Sequence, residues 1–274
     1  MISTSTTALN NDVRIPRVGF GVFQIPPGEQ TYESVRTALR LGYRAVDTAA
    51  AYGNEESVGK AIQEGAVDPG DVFVTTKVWT ADHGYDRTLK AFEASRKKLR
   101  LDTIDLYLIH WPAKADFCDT WRAMERLNRE GHVRAIGVSN FLIHHLKTLL
   151  ETAEITPTLN QIEFHPLNLQ PDLLDFCKKR KIQVEAWSPL GRGQFLDHPL
   201  VSEIARNHRR SPAQILIRWD LQHQVITIPR STREAHIREN AEVFDFELSE
   251  EEMSRLDALD EGKRIGPDPD TFVG

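Results

Sequence analysis

Cysteine is the scarcest reactive chemistry in this chain: two thiols in 274 residues, Cys118 and Cys177, far apart and without metal-site spacing. A disulfide-stapled scaffold is excluded, and a reducing, cytoplasmic setting is expected. Long apolar runs are absent as well. None approaches the roughly 18 residues of a bilayer-crossing helix, so no membrane partner is expected. The opening residues, Met1 to Thr7, are polar and uncharged, unlike a signal peptide. Basic density is low. The formal net charge is −6, and Lys97-Lys98 and Lys178 to Lys181 fall at the ends of expected helices, where cations complement the dipole. No nucleic-acid partner is expected.

Several familiar motifs are incomplete. Gly191-Arg192-Gly193 begins a dinucleotide fingerprint, but Leu196 stands in place of the third glycine. Gly53 to Lys60 has one residue too many for a P-loop, and Ala61 replaces its Ser/Thr. Gly137-Val138-Ser139-Asn140-Phe141 lacks the second glycine of a hydrolase elbow. His144 and His145 are neighbours on an expected helix and do not share a face, so no metal site is expected.

What is present is a rhythm. Ala8 to Ile15 reads as a hairpin turning at Asn10-Asn11-Asp12, and Val18 to Gly21 as a short buried strand. Strands are then expected at Tyr43–Asp47, Val72–Lys77, Ile104–His110, Val133–Ser139, Thr158–Glu163, Ile182–Trp187 and Val225–Ile228. Amphipathic helices fill the gaps, among them Thr31–Leu41, Asn54–Glu64 with Asn54 as N-cap, Tyr85–Arg100, Asp119–Glu130, Leu142–Thr152 and one opened by Ser211-Pro212. The stretch from Ser188 to Arg210 reads as irregular, and the Gly/Pro/Asp-rich tail from Gly262 as a surface loop. Successive strand ends are spaced by about 30 residues, one βαβ unit. Eight such units close into a (β/α)8 TIM barrel, here one domain over residues 1–274, with an N-terminal hairpin and an extra C-terminal helix.

Asp47, Lys77 and His110 end successive strands, and Tyr52 lies in the small-residue loop just past the first. Neighbouring strands are about 4.8 Å apart, so all four side chains converge on one rim. A phenol has a pKa of about 10 and becomes a useful acid only beside a cation. Lys77 supplies that cation, Asp47 fixes it, and His110 can orient a carbonyl. With no activated serine or cysteine at hand, a hydride from a bound cofactor is the expected reductant.

These residues sit in longer matching segments. They are Gly42 to Ala49 with Tyr52-Gly53-Asn54-Glu55, Thr75 to Trp79, Asp105 to Pro112, Gly137 to Phe141, Asn160-Gln161 and Ile228 to Ser231. In them the chain resembles the aldo-keto reductases, most closely the branch of the 2,5-diketo-D-gluconate reductases. The resemblance implies a catalytic tetrad of Asp47, Tyr52, Lys77 and His110, with Tyr52 as general acid. It implies NADPH as the preferred cofactor, with NADH usable. Ser139, Asn140 and Gln161 would bond the nicotinamide carboxamide, and Trp187 would stack on its ring. Ser188, Pro189, Leu190 and Gly191 would wrap the pyrophosphate, with Val22, Phe23 and Asp47 beside the cofactor. Pro229, Arg230, Ser231, Thr232, Arg233 and His236 would surround the 2′-phosphate, and Glu239 and Asn240 the adenine. His236 stands where close relatives carry a second arginine. A histidine brings a full charge there only near or below about pH 6.5.

Phe23, Trp79 and Trp111, with Tyr52 and His110, are expected to wall a substrate pocket. The short linker from Trp111 to Phe117 and the short tail make that pocket open, suited to small aldehydes, α-dicarbonyls and keto-sugars. A monomer is expected. Two other readings stay in view. One is a non-catalytic cofactor-binding subunit, which the complete tetrad disfavours. The other is a barrel lyase or isomerase using Lys77 as a Schiff base, which Asp47 disfavours by keeping the lysine charged.

Overall fold

The structure, a computed structural model, describes residues 5–113 and 117–273. Eight strands pair side by side in chain order, every pairing parallel: β3 (Phe20–Gly21), β4 (Ala45–Asp47), β5 (Phe73–Val78), β6 (Ile104–Ile109), β7 (Val133–Ser139), β8 (Leu159–Glu163), β9 (Gln183–Trp187) and β10 (Ile226–Thr227). The first strand then meets the last. Gly19 N donates to Thr227 O at 2.9 Å, and Thr227 N to Arg17 O at 3.1 Å. Gly21 makes this closure possible, because a Cβ there would lie 2.7 Å from the Ile228 carbonyl oxygen. The result is the expected (β/α)8 barrel.

The helices are α1 (Glu29–Arg40), α2 (Glu55–Gln63), α3 (Tyr85–Leu99), α4 (Phe117–Arg129), α5 (Ile143–Leu150), α6 (Pro171–Lys179), α7 (Pro199–His208), α8 (Pro212–Gln222), α9 (Glu234–Glu239) and α10 (Glu250–Asp257). Outward-facing strand residues such as Val46, Val74, Ile136 and Val184 form one apolar layer with the helices. Each fully buried side chain of this kind contributes about 1.5–3 kcal/mol. A second apolar cluster fills the amino end of the barrel. There Leu9 and Ile15, from the hairpin of β1 (Thr6–Ala8) and β2 (Arg14–Pro16), pack on Ala45, Phe73, Leu106, Leu108 and Leu159. That end is plugged by apolar side chains, which leaves the carboxyl ends of the strands as the open face.

The structure departs from the sequence reading at several points. Helix α7 lies inside the stretch read as irregular; Pro199 opens it, and Val201, Ile204 and Ala205 are buried at helical spacing. Lys77 does not end its strand, since β5 runs on to Val78. Asn54 occupies the N-cap of α2, but its side chain does not cap. Instead its Nδ2 donates to the carbonyls of Val22 and Ile25, and its Oδ1 accepts from Thr48, tying the first two strand-end loops together. Ser211 caps α8 as expected, in a reciprocal capping box with Gln214. The tail is more than a surface loop: the backbone N–H groups of Ile265 and Gly266 donate to Glu163 at the end of β8.

Candidate active site

At the open face the predicted tetrad assembles. Lys77, fully buried on β5, donates from Nζ to Asp47 Oδ1 at 2.6 Å and to the Thr48 carbonyl at 2.8 Å, and reaches the Tyr52 hydroxyl at 3.5 Å. Burial is the largest single influence and opposes the ammonium, but Asp47, by charge and hydrogen bond, together with Tyr52 and Glu185 outweighs it, and the Lys77 pKa is raised. Tyr52 sits on a one-turn 3-10 segment, Ala50–Tyr52, that ends at Gly53 in the left-handed region (φ 70°). Lys77 pulls the Tyr52 phenol down, as its neighbouring charge should, but burial is the larger effect and pushes it up to about 12. The expectation that Lys77 makes Tyr52 a stronger acid is thus right in sign and outweighed in size.

His110 follows β6 directly. Burial, then the Lys77 charge, hold its pKa well below the ordinary imidazole value. It is therefore neutral at pH 7, with one ring nitrogen able to donate and the other to accept. Its ring is wedged against Tyr52 (5.6 Å between centroids) and Trp79 (5.1 Å).

The tetrad stands at one end of a cavity of about 750 Å³. Of the residues named from sequence, Phe23, Asp47, Tyr52, Trp79, His110, Trp111, Ser139, Asn140, Gln161, Trp187, Ser188, Pro189, Leu190, Pro229, Arg230, Arg233 and His236 line it. Val22, Lys77, Gly191, Ser231, Thr232, Glu239 and Asn240 are not among the lining residues. Val22, Lys77, Gly191 and Asn240 are buried, and Ser231 Oγ accepts from the Arg233 N–H.

Asn140, in the left-handed region (φ 65°), is a hub. Its Nδ2 donates to the His110 carbonyl and to Ser139 Oγ, and its Oδ1 accepts from Trp187 Nε1 at 2.8 Å. Ser139 Oγ donates to the Gln161 carbonyl. Gln161 Nε2 donates to Asp47 Oδ2 at 2.7 Å and to Glu185 Oε1 at 2.5 Å. With their N–H groups committed to protein, Asn140 and Gln161 have side-chain carbonyl oxygens to offer a ligand. At the opposite end of the cavity Arg192, Arg230 and Arg233 are exposed, and Arg233 donates to His236 Nδ1 at 3.1 Å.

Several residues of this site were missed in the sequence, and three of them shape it most. Arg192, within the incomplete glycine motif, lies in a tight turn with Gly191 and Gly193, all at positive φ, and lines the cavity. Phe272 packs tilted against Trp111, 4.2 Å between ring centroids, and edge-on to Trp79 at 5.8 Å, so the tail walls the pocket that was read as open. Residues 114–116 of the Trp111–Phe117 linker lie outside the described residues. Glu185 is buried beneath Gln161; alternation along β9 puts Gln183, Glu185 and Trp187 on one face, and that signal was available.

His144 and His145 also behave differently from expectation. Their rings lie 4.0 Å apart, and both reach Asp270 Oδ1 on the tail, at 2.9 and 3.4 Å. His145 folds back so that its Nδ1 accepts the Leu142 N–H, which leaves Nε2 to carry the proton toward Asp270. A metal would need a lone pair at that nitrogen. The cluster reads as a close polar contact between α5 and the tail.

An α/β barrel plugged at one end and carrying its polar side chains on the strand carboxyl ends is built as a barrel enzyme. The chain belongs to the aldo/keto reductase family, whose sequence profile matches residues 17–261. It is 54% identical over 268 residues to a glyoxal reductase of Bacillus subtilis, covering 98% of this chain and 97% of that one. To the methylglyoxal reductase DkgA of Escherichia coli it is 43% identical over 279 residues, covering all of both chains. Among solved structures, a mutant of Gox0644 in complex with NADPH superposes with a TM-score of 0.94 at 41% identity, covering 98% of this chain and 99% of that one.

Proposed function

We propose that this protein is an NADPH-dependent reductase of small aldehydes, α-dicarbonyls or keto-sugars, with Tyr52 as the general acid. The observation that carries the reading is Lys77 Nζ held between Asp47 and the Tyr52 hydroxyl at the floor of the cavity. The residues present fit the cofactor. Guanidinium groups of Arg192, Arg230 and Arg233 suit its phosphates, and Arg230 in particular its 2′-phosphate. Trp187 offers a half-buried ring, and the carbonyl oxygens of Asn140 and Gln161 suit a carboxamide NH₂.

NADPH, when bound, supplies the hydride that adds to the carbonyl carbon. Neutral His110 donates to the carbonyl oxygen and orients it. Tyr52 gives that oxygen its proton, and Lys77 stabilises the phenolate left behind while Asp47 keeps Lys77 charged and in place. The same ion pair argues against a Schiff-base lyase, because a lysine held as ammonium is no nucleophile. The complete tetrad argues against a non-catalytic subunit. Relatives named for glyoxal and methylglyoxal reduction support small α-dicarbonyls as substrates, as does an aromatic pocket bounded by Phe23, Trp79, Trp111 and Phe272. The free thiols Cys118 and Cys177 suit a reducing cytoplasm, and we read the chain as a monomer without nucleic-acid or membrane partners.

The test is Tyr52→Phe, assayed with NADPH and a small aldehyde. Cofactor binding persists while carbonyl reduction falls by about 10²–10⁴-fold, the usual contribution of a general acid. Near-wild-type turnover in this variant would falsify the assignment.

A further inference from the structure

Polar side chains run without a break from β9 to the rim. Glu185 Oε1 lies 2.5 Å from Gln161 Nε2, and the same nitrogen lies 2.7 Å from Asp47 Oδ2. Asp47 Oδ1 holds Lys77 at 2.6 Å, and Lys77 reaches Tyr52 at 3.5 Å. The parallel register sets this chain, since Gln161 and Glu185 are direct partners across β8 and β9. The Gln161 amide is therefore clamped between two carboxyl groups. The groups facing Glu185 are Asp47 from β4, Lys77 from β5, Gln161 from β8 and, more distantly, Tyr52 from the rim. Lys77 already pairs with Asp47, and Glu185 makes no ion pair of its own among the described residues. Neither the tetrad nor the cofactor contacts implied by the resemblance include Glu185.

We propose that Glu185 is a positioning residue for proton donation by Tyr52, acting through Gln161 on the Asp47–Lys77 pair. This rests on the reading of Tyr52 as the acid. Burial, and then the Asp47 charge, push the Glu185 carboxyl up to about 8. Below that pH Glu185 is neutral and accepts one Gln161 N–H while the other goes to Asp47 Oδ2, so Asp47 is the one carboxylate charge set against Lys77 in this cluster. Above it a second negative charge joins a cluster with one cation. That charge raises the Tyr52 phenol further, so Tyr52 becomes a weaker acid and reduction slows.

The experiment is the pH profile of kcat and kcat/KM for a small aldehyde with NADPH, from about pH 6 to about pH 10, in wild type, Glu185→Gln, Glu185→Asp and Tyr52→Phe. In wild type kcat drops by about three- to tenfold across an ionisation near pH 8, the effect of one added charge on a neighbouring acid. Glu185→Gln has no proton to lose there, and the step disappears. Glu185→Asp restores an ionisable carboxyl on a shorter stem, and the step returns at a displaced pH. Superimposable wild-type and Glu185→Gln profiles overturn the proposal, and so does a step confined to the KM for NADPH. If Glu185→Gln does not fold, Glu185→Asp decides: a displaced step supports the proposal, and a profile identical to wild type overturns it. A Tyr52→Phe variant that keeps its turnover overturns the acid assignment. A dead Tyr52→Phe beside an unchanged Glu185→Gln profile overturns the role of Glu185 alone.

Discussion

The two ends of the cavity are built on opposite principles. At the tetrad end, Asp47, Lys77, Gln161 and Glu185 are all buried and hold one another at hydrogen-bond distances. At the other end Arg192, Arg230 and Arg233 are exposed, carried by a tight turn, a loop and the start of α9. Chemistry needs charges fixed in a medium of low dielectric, where each shifts the proton affinity of the next. Recognition of a phosphate needs hydrated guanidinium groups that attract an anion at a distance and close on it. Substitutions should therefore act mainly on stability and kcat at the first end, and mainly on cofactor KM at the second.

The largest expected effect is at the buried end. Asp47→Asn removes the counter-charge of a fully buried lysine. Breaking such a pair from one side costs about 3–5 kcal/mol. Urea unfolding at neutral pH should show a loss of that size, together with a collapse of kcat. A variant as stable as wild type would mean that Lys77 sheds its proton or finds another partner, and the contrast between the two ends would weaken.

Next in size is the pH dependence of stability set by Glu185. Its folded-state pKa, about 8, lies above its unfolded value, so the folded chain binds more protons between the two. Stability from this group is full below about pH 4.3, the unfolded value, and is lost as pH rises toward the folded one. Glu185→Gln removes the dependence. Between about pH 5 and about pH 8 the wild type should lose stability relative to the variant, on the order of a few kcal/mol. Parallel unfolding curves across that range would contradict it.

At the exposed end, Arg230→Ala should leave folding intact. One hydrogen bond to a charged group is worth about 1.5–3 kcal/mol, so the KM for NADPH should rise roughly ten- to a hundredfold while that for NADH barely moves. An equal rise for both cofactors would show that Arg230 does not read the 2′-phosphate.

The same contrast explains what could be read from the sequence. Asp47, Lys77 and His110 were legible because a polar residue at or beside the end of an apolar strand stands out, and because βαβ spacing brings strand ends together. Arg230 was legible only through the family resemblance. Phe272 was not legible: one aromatic in a Gly/Pro/Asp-rich tail has no periodicity, and its partners Trp79 and Trp111 lie far away in the chain. Helix α7 was obscured because only Val201, Ile204 and Ala205 are buried, after a run of left-handed turn residues. Burial of Tyr52 by the folded rim, which outweighs the Lys77 charge, has no local sequence signature.

The smallest expected effect concerns His236, and it probes whether the exposed end is as loosely built as it looks. His236 Nδ1 accepts a hydrogen bond from Arg233, so here the imidazole serves as a neutral prop for a cation. Protonating it would remove that acceptor and set two positive groups side by side. His236→Arg therefore adds a charge near the phosphate site but takes away the prop. The gain and the loss oppose each other, and the NADPH/NADH ratio of kcat/KM should rise by about tenfold or less. His236→Ala separates the two contributions: it removes the prop without adding charge, and should lower the ratio. If His236→Ala leaves the ratio unchanged, Arg233 needs no support. If His236→Arg leaves it unchanged as well, neither side chain reads the phosphate, and the recognition falls to Arg230 and Arg192.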